Sequence, residues 1–226
     1  SDCQSKLADF GLARSIAQPD DPLAQSGPIL TDYVATRWYR APEILLGSTQ
    51  YTFGVDMWSC GCILGELLGG RPMFQGSSTM NQLDKIMEVT GRPSSEDVES
   101  VQSPFASTML DSLHESRRKG LSEIYPAASP EALDLLRRLL QFNPHKRLSA
   151  EEALRHPYVA QFHNPADEPA CDRIITIPID DNTKYSIGEY RDKLYAEIVK
   201  RKKELRRRMR EKEAARAAAA GGGHHS

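Results

Sequence analysis

Residues 55–68 read Val-Asp-Met-Trp-Ser-Cys-Gly-Cys-Ile-Leu-Gly-Glu-Leu-Leu, the longest apolar run of the chain, with Asp56 and Glu66 its only charges. A helix that is apolar all round belongs at the centre of a larger protein. The run is too short to span a bilayer. Whatever fold this chain adopts must therefore wrap other elements around that helix.

Several segments have the pattern to do so. A short helix is expected after Pro42, because proline is favoured at a first helical position. Met80 to Val89 places Leu83, Ile86 and Met87 on one face, and Gly91-Arg92-Pro93 ends the helix. Ser129-Pro130-Glu131 opens a clearer helix: serine as N-cap, proline at N1, acid in the first turn, then Leu133, Leu136, Leu139 and Leu140. Ser149-Ala150-Glu151-Glu152 has capping-box spacing before a helix stopped by His156-Pro157. Ser94 to Ala128 reads as a polar insert with weak helical patches around Val98 and Leu110. Ser5 to Ala8 reads as a short strand feeding a turn, and Leu12 to Tyr39 as a loop broken by Pro19, Pro22, Gly27 and Pro28. Asn164 to Asn182 is rich in Pro and Asp, with an extended Ile174-Ile175-Thr176-Ile177. One long helix is expected from Ser186 to about Ala219, with an intermittent stripe of Ile187, Tyr190, Leu194, Ile198, Leu205 and Met209.

Charge is unevenly spread. From Lys200 onward ten Lys/Arg stand against three Glu, a net +7; within a total of −2 this leaves residues 1–199 at −9. Cys3, Cys60, Cys62 and Cys171 fit neither a disulfide framework nor a metal-ligand pair, and Cys60-x-Cys62 inside the apolar run is expected to be a pair of buried reduced thiols. That usage suits the cytoplasm. No basic-then-apolar leader is visible.

The chemistry lies between Asp9-Phe10-Gly11-Leu12-Ala13-Arg14 and Ala41-Pro42-Glu43, with Thr31-Asp32-Tyr33-Val34-Ala35-Thr36-Arg37-Trp38-Tyr39-Arg40 between them. Asp56-Met57-Trp58-Ser59-Cys60-Gly61 and Asn143-Pro144-His145-Lys146-Arg147-Leu148 follow in order. D-F-G alone is a weak signal; its order and spacing with the T-x-Y lip and A-P-E are specific. The set resembles the activation segment and lower lobe of MAP kinases, in the CMGC group of Ser/Thr protein kinases. The helix at Ser129 to Leu140 and the stretch from His156 to Phe162 are similar to the atypical, self-activating branch with a long C-terminal extension. The resemblance covers about residues 1–199, and a Thr-Asp-Tyr lip departs mildly from the animal Thr-Glu-Tyr pattern.

The resemblance implies a protein-kinase-like α+β fold of which this chain, mainly α, supplies most of the C-terminal lobe without the N-terminal lobe or catalytic loop. Residues 1–158 would be the lobe fragment, with activation segment 9–43 and a MAP-kinase-type insert at about 91–128. Residues 159–185 would be a docking and linker extension, and 186–226 a basic helix with a low-complexity tail. The Gly-rich loop, the nucleotide-binding lysine and the H-R-D loop precede D-F-G in this family. None fits between Ser1 and Ala8, so the chain is expected to be an incomplete, inactive portion with its catalytic aspartate upstream.

Roles carry over residue by residue. Asp9 would hold Mg²⁺ against the phosphates of ATP, and Gly11 would permit Phe10 to swing. Thr31 and Tyr33 would be the activating phosphosites, since phosphorylation orders a loop where arginines receive it: Arg37 and Arg40 for phosphotyrosine, Arg14 for phosphothreonine. Residues 34–40 would shape a pocket favouring proline after the phosphorylated Ser/Thr. Thr36 would bond the catalytic aspartate and lysine, Glu43 would pair with Arg147, and Asp56 would accept backbone bonds from the catalytic loop. Asp167 and Glu168 match an acidic docking motif for basic peptides, with Asn164 where an acid is usual; an ordinary acidic loop is the alternative. The run Lys200 to Arg210 reads as a solvated helical face, a patch for an acidic partner such as a microtubule tail or nucleic acid, or a nuclear import signal; nucleic acid is the less favoured partner and a membrane is not expected. The implied activity is proline-directed phosphoryl transfer from ATP to protein Ser/Thr, in the cytoplasm, at cilium or cytoskeleton, or in the nucleus. The rival expectation is a non-catalytic kinase-remnant scaffold.

Overall fold

A computed structural model describes residues 6–13, 36–48, 52–114, 117–172, 175 and 183–221. The chain forms two compact units, Ser1–Ile175 and Thr176–Ser226. In the first, α1 (Pro42–Leu45) is followed by α2 (Gly54–Gly69), α3 (Thr79–Thr90), α4 (Ser95–Ser100), α5 (Ala106–Asp111), α6 (Leu121–Ile124), α7 (Pro130–Leu139) and α8 (Ala150–Leu154). Single 3₁₀ turns at Arg37–Tyr39 and Pro144–Lys146 flank α1 and α8 respectively on their N-terminal sides. No strand occurs among the described residues, so Lys6–Ala8 is not the expected strand: a strand exists only against a paired neighbour.

The apolar run is α2, and one face of it organises the unit. Gly61 sits where a Cβ would meet Leu140 Cδ2 at 2.8 Å and Leu139 Cβ at 3.0 Å, and Gly65 faces the Tyr125 hydroxyl at a similar distance. Side chains at i and i+4 share a helix face, so these small residues let α7 and Tyr125 approach the α2 backbone. Trp58, fully buried, stacks on Phe74 with centroids 5.8 Å apart. On the opposite face Phe53, Ile63 and Leu67 are 72%, 51% and 78% exposed, the apolar face that a helix of this kind leaves when the elements packed on it, those from 79 to 140, bury only its glycine side.

Cys60 lies on that exposed side and corrects the expectation of two buried thiols; Cys62 alone is buried. Burial pushes the Cys62 thiol up to about 12, and partial burial followed by the Asp56 charge raises Cys60 as well. The thiolate is the nucleophile. Iodoacetamide at pH 8 should therefore alkylate Cys60 in the folded chain and Cys62 only after denaturant is added. Equal labelling of both in the native state, read by peptide mass spectrometry, would contradict the packing of α2.

Serine N-caps start the surrounding helices. The hydroxyls of Ser78, Ser94, Ser129 and Ser149 accept the amides of Asn81, Asp97, Ala132 and Glu152, and Asp97 and Glu152 return bonds to Ser94 and Ser149. Each such cap contributes about 1 kcal/mol. The stretch 94–128 is less polar in effect than its composition suggests. Val101, Ala106, Leu110, Leu113 and Tyr125, spread over α4 to α6 and their links, all enter the core.

The second unit is α9 (Ile187–Gly221), opened by a reciprocal pair in which Glu189 Oε2 accepts from Ser186 N and Ser186 Oγ accepts from Glu189 N. Its apolar residues Ile187, Leu194, Ile198, Leu205 and Met209 are exposed, and Arg208–Glu204 at 2.7 Å and Arg207–Glu211 at 3.7 Å lace the surface at i,i+4. No helix of the described residues is long and apolar enough to cross a membrane.

Candidate functional site

Asp9 adopts φ +60°, a conformation that Asp tolerates because its short side chain bonds locally. Here Asp9 Oδ1 accepts from the Gly11 amide at 3.2 Å, and Ala13 N donates to Phe10 O at 3.0 Å, closing a turn. A Cβ on residue 11 would stand 3.2 Å from that same Asp9 oxygen. Phe10 is 69% exposed. Arg14, Thr31 and Tyr33 lie outside the described residues.

From Thr36 the chain is clamped residue by residue. Thr36 is exposed and leads into the 3₁₀ turn, with its carbonyl accepting from Tyr39 N. Arg37 Nη1 donates to Ser77 O at 3.3 Å, while its buried Nε has no partner among the described residues. Trp38 Nε1 donates to Gly76 O at 3.1 Å, and the fully buried Gln82 bridges back: its Nε2 donates to Trp38 O at 3.3 Å and its Oε1 accepts from Gly76 N at 2.9 Å. Tyr39 donates its hydroxyl to Glu66 Oε2 at 2.5 Å, which raises its pKa, and its carbonyl accepts from Ser59 Oγ. Arg40 is half-buried at the end of the turn.

Glu43 and Arg147, 104 residues apart, meet in the core. Arg147 Nη1 and Nη2 donate to the two Glu43 oxygens at 2.7 and 2.6 Å, with side chains 0% and 1% exposed. The remaining donors go to backbone carbonyls: Nε to Gln141, Nη1 to Gly54 and Nη2 to Phe142. All five guanidinium N–H groups thus have acceptors, and the plane lies 5.2 Å over Trp58. One residue ties α1, the start of α2 and the loop after α7 together. Asp56 is exposed in the first turn of α2.

The candidate docking loop is tied internally. Asp167 Oδ2 accepts from Asn164 Nδ2 at 2.7 Å, and Glu168 accepts from Asn164 N at 2.9 Å and contacts His163 Nδ1 at 2.7 Å. The Asn164 amide and His163 hold the Glu168 carboxyl below its usual range. Asn164 thus bridges the two acids in a way that an acid there could not.

The structure brings Thr36, Arg37, Arg40, Glu43 and Arg147 onto one frame; among the described residues Asp9 takes no part in its hydrogen bonding. Trp38 and Tyr39 fall in the 34–40 segment expected to shape the pocket, but their partners Gly76, Gln82 and Glu66 carry no such signal, since a lone Gln on an amphipathic helix gives no sign of burial. Among the described residues no group of three or more His, Cys, Asp or Glu side chains could hold a metal ion. A lone Asp9 is compatible with Mg²⁺, which takes one or two protein carboxylates and fills its octahedron with phosphate and water oxygens.

Comparison with known proteins gives concordant results. A family model described as protein kinase domain matches residues 1–159. Extracellular signal-regulated kinase 2 of Dictyostelium discoideum is 67% identical over 204 residues, which cover 90% of this chain and 55% of that protein. Mitogen-activated protein kinase 15 of Xenopus laevis is 53% identical over 205 residues, 90% of this chain and 35% of its own length. Mitogen-activated protein kinase mpk-1 of Caenorhabditis elegans is 45% identical over 189 residues, 83% of this chain and 42% of its own. The chain spans about a third to a half of the length of these relatives.

Proposed function

The chain belongs to the protein kinase family and is similar to its MAP kinases, and from that premise we propose that it carries the activation segment and substrate-facing part of a proline-directed Ser/Thr kinase. The observation that carries the reading is the clamp on residues 36–43, held by Gln82 and Gly76 at one end and Arg147 at the other. A rigid scaffold under that segment is what a pocket for the residue after the phosphoacceptor requires, because specificity depends on held geometry. Proline suits such a pocket, having no N–H to leave unsatisfied.

In this reading Thr31 and Tyr33 are the regulatory phosphosites, with Arg14, Arg37 and Arg40 as receivers. Asp9 holds Mg²⁺ when nucleotide is present; the ion supplies charge neutralisation at the phosphates. Thr36 orients catalytic groups, Asp56 braces the catalytic loop, and Asp167 with Glu168 meets basic docking peptides, weakly because Asn164 adds no charge. Among the described residues Arg201, Lys202, Lys203, Arg206 and Arg210 make no ion pair, and they suit an acidic cytoskeletal surface. The protein would work in the cytoplasm, at cilium or cytoskeleton, or in the nucleus. A second reading, a non-catalytic scaffold, draws on the exposed Phe53, Ile63 and Leu67, which a partner would cover.

The test is to determine the transcript upstream of Ser1 and assay the protein it encodes on paired peptides, one Ser-Pro and its Ser-Ala twin. Transfer at least about tenfold faster to the Ser-Pro peptide is expected. Equal rates would remove the proline-directed reading, and an upstream sequence with no H-R-D loop would favour the scaffold.

A further inference from the structure

Beside the kinase frame, an open cavity of about 550 Å³ lies between the end of α3, the segment before α6 and the end of α7. Three arginines from these three segments line it: Arg92, Arg118 and Arg137. Each is anchored by part of its guanidinium. Arg92 Nη2 donates to Leu110 O at 2.9 Å and to Asp111, Arg118 Nε to Val89 O at 3.2 Å, and Arg137 Nη1 to Asp134 at 2.7 Å. Arg118 also lies flat over Gly91, where a Cβ would come within 3.2 Å of its Cδ, and Gly91 has φ +80°. These anchors leave both Nη atoms of Arg118, Nη2 of Arg137 and Nη1 of Arg92 without a protein acceptor among the described residues.

The charge balance of the cavity is cationic. Its one carboxylate, Asp97, is already spent: Lys146 Nζ at 2.7 Å and Asn143 Nδ2 at 3.1 Å bond to Oδ1, and Ser94 bonds to Oδ2. The Lys146 bond leads in holding that carboxyl down to about 2, so it stays ionised and neutralised at working pH. Arg118 has no carboxylate partner among the described residues, and Asp134 is shared by Arg137, Arg138 and His156. Guanidinium forks match phosphate oxygens in geometry as well as charge. Arginines fixed in advance lose less entropy on binding than free ones.

We propose that the cavity between Arg92, Arg118 and Arg137 is a binding site for a phosphate monoester. It is distinct from the activation segment and from the docking loop, and it does not depend on the kinase reading. The chemistry is common to a free phosphorylated metabolite and to a phosphorylated side chain of a peptide, so the test separates these sources.

The 226-residue chain is titrated at constant ionic strength with inorganic phosphate, O-phosphoserine amide and a phosphoserine decapeptide, each against its unphosphorylated counterpart or chloride. Amide shifts of Gly91 and Gly120, and of the Gln141 and Asn143 side chains, report binding by NMR. Saturable shifts in the phosphorylated arms are expected, at least about tenfold weaker in Arg118→Gln and in Arg137→Gln, and unchanged in Arg155→Gln. Tighter binding of the peptide than of phosphoserine amide assigns the source to a protein; equal binding assigns it to a small phosphate. Shifts that chloride reproduces, or an affinity unchanged in both arginine variants, overturn the site. Should Arg118→Gln lose its native spectrum with its Val89 bond, Arg137→Gln carries the test, since that side chain is exposed.

Discussion

Replacing Glu43 by alanine is expected to lower the free energy of unfolding by about 3–5 kcal/mol, the range for breaking a buried ion pair by removing one partner. The Arg147 guanidinium would keep its carbonyl acceptors at Gln141, Phe142 and Gly54, and its place over Trp58, while losing its carboxylate partner among the described residues. Arg147→Ala should cost at least as much. It strands a buried carboxylate and, in addition, three carbonyls, each unsatisfied acceptor costing about 1–3 kcal/mol. The double change Glu43→Leu, Arg147→Met should cost less than either single one, because no uncompensated charge remains. Urea unfolding of the four chains measures this. A loss below about 1 kcal/mol for both single variants would mean that the pair is not the tie that joins α1, α2 and the loop after α7.

Legibility in the sequence followed the range of the interactions. The α2, α3, α7 and α8 helices could be read because their signals are local: a proline at N1, serine caps, leucines at helical spacing. Ser129 and Ser149 are N-caps in the structure for the reasons their positions suggest. The short helices α4 to α6 blurred, since α4 and α6 hold no fully buried residue, α5 holds only Ala106 and Leu110, and each has too few turns for a period to show. The all-round apolar character of α2 was visible, but which face is covered is set by neighbours distant in sequence. Glycines 61 and 65 mark that face only once Leu140 and Tyr125 are seen against them. At the site, Asp9, Glu43 and Arg147 stood out through motif resemblance, whereas Gln82 was invisible. A buried amide joining Trp38 and Gly76 across 44 and 6 residues leaves no pattern in composition or period.

On the proposed kinase function, changing Asp9 to asparagine in the protein that carries this activity is expected to reduce phosphoryl transfer by about three orders of magnitude while leaving the melting temperature unaltered. The fold should be indifferent. Asparagine accepts the Gly11 amide bond through the same oxygen position, and it tolerates φ +60° as well as aspartate does. Asp9 is also outside the hydrogen-bonded frame that Glu43 and Arg147 support, so no buried partner is stranded. On the proposed function, what the change removes is a unit of negative charge that would face a divalent cation. Charge stabilisation by a bound metal is worth several kcal/mol, and each 1.36 kcal/mol is a factor of ten in rate. Asp9→Ala separates the two contributions, because it deletes the acceptor for Gly11 as well as the charge and should disturb the turn that Asp9→Asn preserves. Transfer rates measured over a series of Mg²⁺ concentrations decide the matter: added Mg²⁺ should restore part of the lost rate in Asp9→Asn if its effect is weakened metal binding. A variant that kept a tenth or more of the parent rate at every Mg²⁺ concentration would take Asp9 out of the metal site and leave its positive φ as a feature of the turn alone.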